Sequence, residues 1–150
     1  MKNNKAIAIL GGMGPQASSK LLEVLIDICS RDFGIKVDSD FPEIILNSIP
    51  VPNFISNRNN SELALKILQK RIKKLEAFNP VCFGISCNTA HVLLDKLQLK
   101  TSVPFVSIID EVTKKVTESK VKRVGLLGTS ITVNSALYQD ALRKQNIETI

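Results

Sequence analysis

Tryptophan is absent from this 150-residue chain, tyrosine and histidine occur once each, and there are three cysteines. A single histidine with no Cys-x-x-Cys spacing excludes the common zinc ligand sets. Three cysteines cannot all pair. Cys29 and Cys82 fall in apolar segments and Cys87 at the end of one, the pattern of reduced thiols, which predicts a cytoplasmic protein rather than a disulfide framework. No run approaches the ~20 apolar residues of a membrane helix. Met1-Lys2-Asn3-Asn4-Lys5 leads straight into a strand-like run, without the apolar stretch and cleavage site of a secretory signal. The scarcity of aromatics also bears on the net charge of +6. No aromatic residue is interleaved with the basic ones, so a base-stacking surface is not supported and no nucleic-acid partner is expected. Lys66, Lys70, Arg71, Lys73 and Lys74 instead fit the wet face of one amphipathic helix, and Lys114, Lys115, Lys120, Lys122 and Arg123 flank another. A mild attraction for small anions is what remains.

What the chain does contain is regular alternation. Apolar runs of strand length at residues 6–10, 43–49, 81–86, 104–107, 123–127 and 147–150 are separated by helical patterns at 15–29, 61–78, 89–99, 108–119 and 131–145. Alternating strands and helices predict βαβ units and a mostly parallel sheet with one sizeable core. In such sheets, ligands bind at the carboxyl ends of strands. Three turns there are small and polar and each opens a helix: Gly11-Gly12-Met13-Gly14-Pro15, Ser86-Cys87-Asn88-Thr89-Ala90-His91 and Gly128-Thr129-Ser130.

Cys87 carries the strongest chemical signal. A thiol at a strand end and a helix start meets unpaired backbone N–H groups and the positive end of the helix dipole, which favour the reactive thiolate. Cysteine is often a small core filler, but Asn88 and Thr89 are polar neighbours that do not suit plain core. Cys29 and Cys82 read as fillers. His91, one helical turn after Cys87, is either close enough to stabilise a thiolate or a satisfied structural histidine. The glycine turn departs from the dinucleotide fingerprint, since Gln16-Ala17 stand where its last glycine belongs. It is either an anion cradle at a helix N-terminus or a tight strand-to-helix turn. Thr129 and Ser130 either bind a carboxylate or cap the following helix.

The Gly-Gly-Met-Gly-Pro, Cys-Asn-Thr-Ala-His and Leu-Leu-Gly-Thr turns, in that order and at these spacings, resemble the aspartate/glutamate racemase family, the amino-acid racemases that work without pyridoxal phosphate. The resemblance covers essentially the whole chain but about two-thirds of a family member. It implies an α/β fold, a parallel-sheet three-layer lobe over residues 1–105, and an incomplete second lobe that begins at 106 and is cut short at 150. It implies no cofactor, a small amino-acid substrate (aspartate or glutamate), and a homodimer. It also implies roles: Cys87 as the first-lobe cysteine that moves the α-proton, Asn88 and Thr89 as groups holding the substrate's carboxylate and amino groups, and Met13 and Thr129 lining the pocket. Two departures stand out. The second-lobe cysteine of the family, in a Gly-Cys-Thr-Glu-like turn, has no counterpart in these residues. Where many aspartate racemases have Pro-Asp-Arg, this chain has Pro52-Asn53-Phe54, and Arg58 from the same loop is the candidate for the side-chain carboxylate. The alternatives are a one-cysteine relative, such as a dicarboxylate isomerase or decarboxylase, and a non-catalytic remnant that binds a small acid.

Overall fold

The computed structural model describes residues 5–54 and 60–150. The first strand, β1 (Ala6–Gly11), is almost wholly buried. It is apolar on both faces, as a central strand of a parallel sheet must be. Helix α1 (Pro15–Asp32) follows, with Pro15 in its first turn, where a missing N–H costs nothing. Strand β2 (Ile44–Ser48) pairs parallel with β1, Ile7 opposite Ile44 and Gly11 opposite Ser48. Helix α2 (Ser61–Leu75) lays Ala64, Leu68, Ile72 and Leu75 on the core, while its lysines face water. A short 3-10 turn over Glu76–Phe78 ends on Asn79 in the left-handed conformation, a position that asparagine tolerates.

Strand β3 (Pro80–Ile85) pairs with the other edge of β1, and Leu10 lies opposite Ile85. The two strand ends that carry the glycine turn and the cysteine turn are therefore neighbours. A 3-10 segment (Thr89–Leu93) and helix α3 (Leu94–Gln98) return the chain to β4 (Phe105–Val106), which pairs with β3. The sheet order is β2-β1-β3-β4. The rings of Phe83 and Phe105 stack at 5.2 Å across the last pair. A second unit follows: α4 (Ile108–Glu118), β5 (Arg123–Val124), α5 (Ser130–Asn134), α6 (Leu137–Arg143) and β6 (Glu148–Thr149), with β5 and β6 parallel. Its buried cluster, Ile109, Tyr138, Leu142 and Ile147, is separate from the main core around Leu10, Phe83 and Leu68.

Two expected helices are broken, each by side chains that take backbone partners. Residues 89–99 do not form one helix. The Cys87 carbonyl, which an α-helix would give to the His91 N–H, is taken by His91 Nδ1 at 2.8 Å, and the His91 N–H turns to Asn88 at 3.0 Å. The result is a 3-10 turn before α3, so the dipole behind the cysteine turn is that of a short segment. The expected helix over 131–145 splits at Ala136, whose φ is +59°. There Ser135 Oγ donates to the Thr132 carbonyl at 2.9 Å and Gln139 Nε2 to the Val133 carbonyl at 2.8 Å, satisfying carbonyls that a continuing helix would have used. The expected strand over 123–127 keeps ladder form only at Arg123–Val124, with one further bond, from the Leu126 N–H to the Ile150 carbonyl.

Candidate active site

The site begins with how closely β1, β2 and β3 end together. Gly11 accepts a hydrogen bond from the Ile49 N–H at 3.0 Å. Gly12 then turns with φ +89°, and a Cβ there would lie 2.3 Å from the Ile49 nitrogen. This glycine is required by close backbone approach as well as by handedness. The Gly12 N–H donates to the buried Ser18 Oγ at 2.9 Å, and Ser18 Oγ shares a 2.7 Å hydrogen bond with Ser86 Oγ. Of the two readings of the glycine turn, the tight turn accounts for Gly12, since its amide is consumed internally. The Ser18–Ser86 bond joins the glycine turn to the residue just before Cys87. The sequence marks Ser86 only as part of the cysteine turn and does not mark Ser18, because the bond spans 68 residues.

Cys87 is half-buried and lines a cleft of about 200 Å³ with Met13, Gly14, Val51, Pro52, Asn53 and Phe54. Ligand pockets for drug-sized molecules hold roughly 300–1,000 Å³, so this space suits something smaller. Among the described residues, the walls apart from Asn53 are apolar side chains and backbone. Cys29 lies on α1 and Cys82 within β3; neither lines this cleft. Burial pushes the Cys82 thiol up, which keeps it protonated and unreactive.

The turn carrying Cys87 is held by the second unit through three of its residues. Thr89 is buried, and its Oγ1 lies 3.0 Å from Thr129 Oγ1 and 3.1 Å from Thr132 Oγ1. The two latter hydroxyls are themselves 3.0 Å apart, closing a triangle. Thr129 also caps α5 by accepting from the Thr132 N–H. Asn88 is exposed, yet its Oδ1 accepts from the buried Tyr138 hydroxyl at 2.8 Å. His91, 3% exposed, receives the Ile108 N–H on Nε2 at 3.1 Å. Nδ1 therefore carries the proton and donates to the Cys87 carbonyl.

With both nitrogens engaged, His91 is a structural link from the cysteine turn to the start of α4, the satisfied histidine of the two readings. Burial holds its pKa below the ordinary 6.5, opposed by the hydrogen bonds to Cys87 and Asn88 and by the Asp110 carboxylate. The unfolded chain therefore takes up this proton first, and acidification favours unfolding. Unfolding free energy is expected to fall as pH drops below 6.5, before carboxylates titrate near pH ~4. Denaturant titrations at several pH values check this, and the fall above pH ~5 should vanish in His91→Gln. His91 is the only histidine, so no other imidazole contributes.

The structure thus places Met13 and Cys87 on one cleft and bonds Thr89 to Thr129. It ties Asn88 to Tyr138, and Arg58 lies outside the described residues. Thr132 and Tyr138 were not singled out from the sequence. Thr132 alone left a local sign, at the capping distance from Thr129.

A sequence model of the Asp/Glu/Hydantoin racemase family matches residues 10–150. The chain belongs to this family. Its relatives include the broad specificity amino-acid racemase RacX of Bacillus subtilis, 33% identical over 144 residues, covering 96% of this chain and 63% of that protein. Among solved structures, the fold matches an aspartate racemase homologue from Pyrococcus horikoshii (TM-score 0.80, 32% identity) over 97% of this chain and 63% of that one. It also matches the Picrophilus torridus aspartate racemase (TM-score 0.82, 31% identity) over 97% and 62%. The chain therefore spans a little under two-thirds of the length of these racemases. The resemblance read from the three turns agrees with the family match and the relatives, and the parallel-sheet α/β class agrees with the solved structures. Among the described residues, no helix is long and apolar enough to cross a membrane.

Proposed function

We propose that this chain supplies the acid–base thiol of a pyridoxal-phosphate-independent amino-acid racemase acting on aspartate or glutamate. The observation that carries the reading is the place of Cys87. It lies on the turn after β3, walling a small apolar cleft opposite Met13 of the turn after β1, in a chain of a racemase family. The Cys87 thiolate takes the α-proton, and the C–H electron pair passes into the adjacent carboxylate. Reprotonation on the other face by a second acid gives the enantiomer and leaves that acid as its conjugate base. The α-carbon is a very weak acid, so positioning, exclusion of water and fixed dipoles must make up the difference.

Asn88, Thr89 and Thr129 are the proposed holders of the substrate's charged groups. At the threonines, a carboxylate would replace hydroxyl–hydroxyl bonds with stronger charge-assisted ones. Arg58 is assigned the side-chain carboxylate from its loop position alone. In this reading residues 1–105 form one lobe and 106–150 belong to the second, and the protein works as a cytoplasmic homodimer. Incubation with L- and D-aspartate and L- and D-glutamate, separately and in deuterated water, tests it. Deuterium at the α-carbon is expected. Inversion would report a second acid opposite Cys87, and retention would report Cys87 acting alone. No deuterium with any of the four would overturn the reading.

A further inference from the structure

We propose that Tyr138 is a positioning residue for ligand binding at the cysteine turn, orienting the Asn88 amide. This rests on the reading that Asn88 binds the substrate. A buried tyrosine usually finds a partner for its hydroxyl, and the ring of Tyr138 packs ordinarily with Ile109, Leu142 and Ile147. Its choice of partner is what carries the argument. The hydroxyl reaches a side chain 50 residues away, on the residue next to Cys87. Asn88 is exposed, and an exposed asparagine otherwise rotates freely about χ1 and χ2, presenting either end of its amide. The 2.8 Å bond removes that freedom. It occupies Oδ1 and leaves Nδ2, which has no protein acceptor among the described residues, as the half that meets a ligand.

A donor-only face next to the thiol selects a carboxylate and disfavours a cation. Burial raises the Tyr138 pKa, so the phenol keeps its proton throughout the neutral range and continues to donate. The bond also crosses from the second unit to the first, so binding affinity at the turn depends on α6 being docked.

Tyr138→Phe keeps the ring and its packing and deletes the single hydroxyl. Two measurements on the whole chain test the role. With asparagine labelled by nitrogen-15, the Asn88 side-chain amide should give a distinct, shifted proton pair in the parent, which moves toward free-amide positions in Tyr138→Phe. Titration with L-aspartate should show a dissociation constant about fivefold weaker, the effect of one hydrogen bond. That loss should disappear when the substitution is made in an Asn88→Ala background. Unmoved Asn88 signals would overturn the orientation. Moved signals with unchanged aspartate affinity, or an equal loss without Asn88, would overturn the positioning role. If the parent chain binds no aspartate, the ligand assignment falls with the proposed function, and the amide signals still decide whether Tyr138 orients Asn88.

Discussion

Cys87→Ala is expected to lose α-proton exchange by about 10³-fold, within the range of a positioned general base, while unfolding close to the parent's denaturant midpoint. The two effects separate because the fold uses this residue's backbone, while the proposed chemistry uses its side chain. The carbonyl of Cys87 holds His91, and Ser86 before it bonds Ser18; both survive the substitution. The side chain is only half-buried against the core, so removing one sulfur leaves a small, partly solvated gap worth on the order of 1 kcal/mol. Loss of the α-proton NMR signal of the substrate in deuterated water measures the rate, and urea unfolding measures the stability. Exchange at the parental rate would remove Cys87 from its assigned role. A large fall in midpoint would mean that lost activity says nothing about the thiol.

Gly12→Ala is expected to cost about 3 kcal/mol or more, the largest stability effect of any single methyl addition considered for these turns. Its backbone sits at φ +89°, and the new methyl would meet the nitrogen and oxygen of Ile49 at 2.3 and 2.6 Å. Those atoms are backbone at the end of β2, and Ile49 is tied to Gly11 by a hydrogen bond, so relief requires the glycine turn to pull away from the sheet. Gly34 is the built-in comparison. It also has a positive φ, +67°, but nothing lies within 4 Å of its would-be Cβ. Gly34→Ala should therefore cost only the left-handed strain of about 1–2 kcal/mol. Urea midpoints with unchanged slopes measure both. Equal costs at the two positions would show that handedness alone, without the Ile49 contact, sets the requirement for glycine.

Much of the architecture was legible because its signals are local. The apolar runs at 6–10 and 81–86 became the paired central strands, the first buried on both faces and the second placing Phe83 and Ile85 in the core. Leu65, Leu68, Ile72 and Leu75 fall at helical spacing, and α2 buries the last three of them. The three small polar turns stood out because each follows an expected strand and precedes an expected helix. The split at Ala136 rests on local bonds, but what escaped reading at the cysteine turn depends on partners far along the chain. The break after Thr89 follows from a ring whose second nitrogen is fixed by Ile108, 17 residues on. The restraint on Asn88 comes from Tyr138, and the burial of Thr89 is met by Thr132, 43 residues on. No window of helical or strand periodicity contains both members of such a pair. Thr89 was read as a group that holds substrate; its hydroxyl is also part of the seam between the two units.

That seam orders events during synthesis. The cysteine turn leaves the ribosome well before the residues that clamp it. At about 5–20 residues per second, the 50 residues separating Asn88 from Tyr138 take roughly 3 to 10 seconds to add. Through that interval β3 can pair with β1, since both are already made, but Asn88, Thr89 and His91 have none of their downstream partners. The thiol is thus carried through the early life of the chain on an unlatched turn. It acquires its folded geometry only as α4, α5 and α6 arrive in succession, so the cysteine turn matures from its far side.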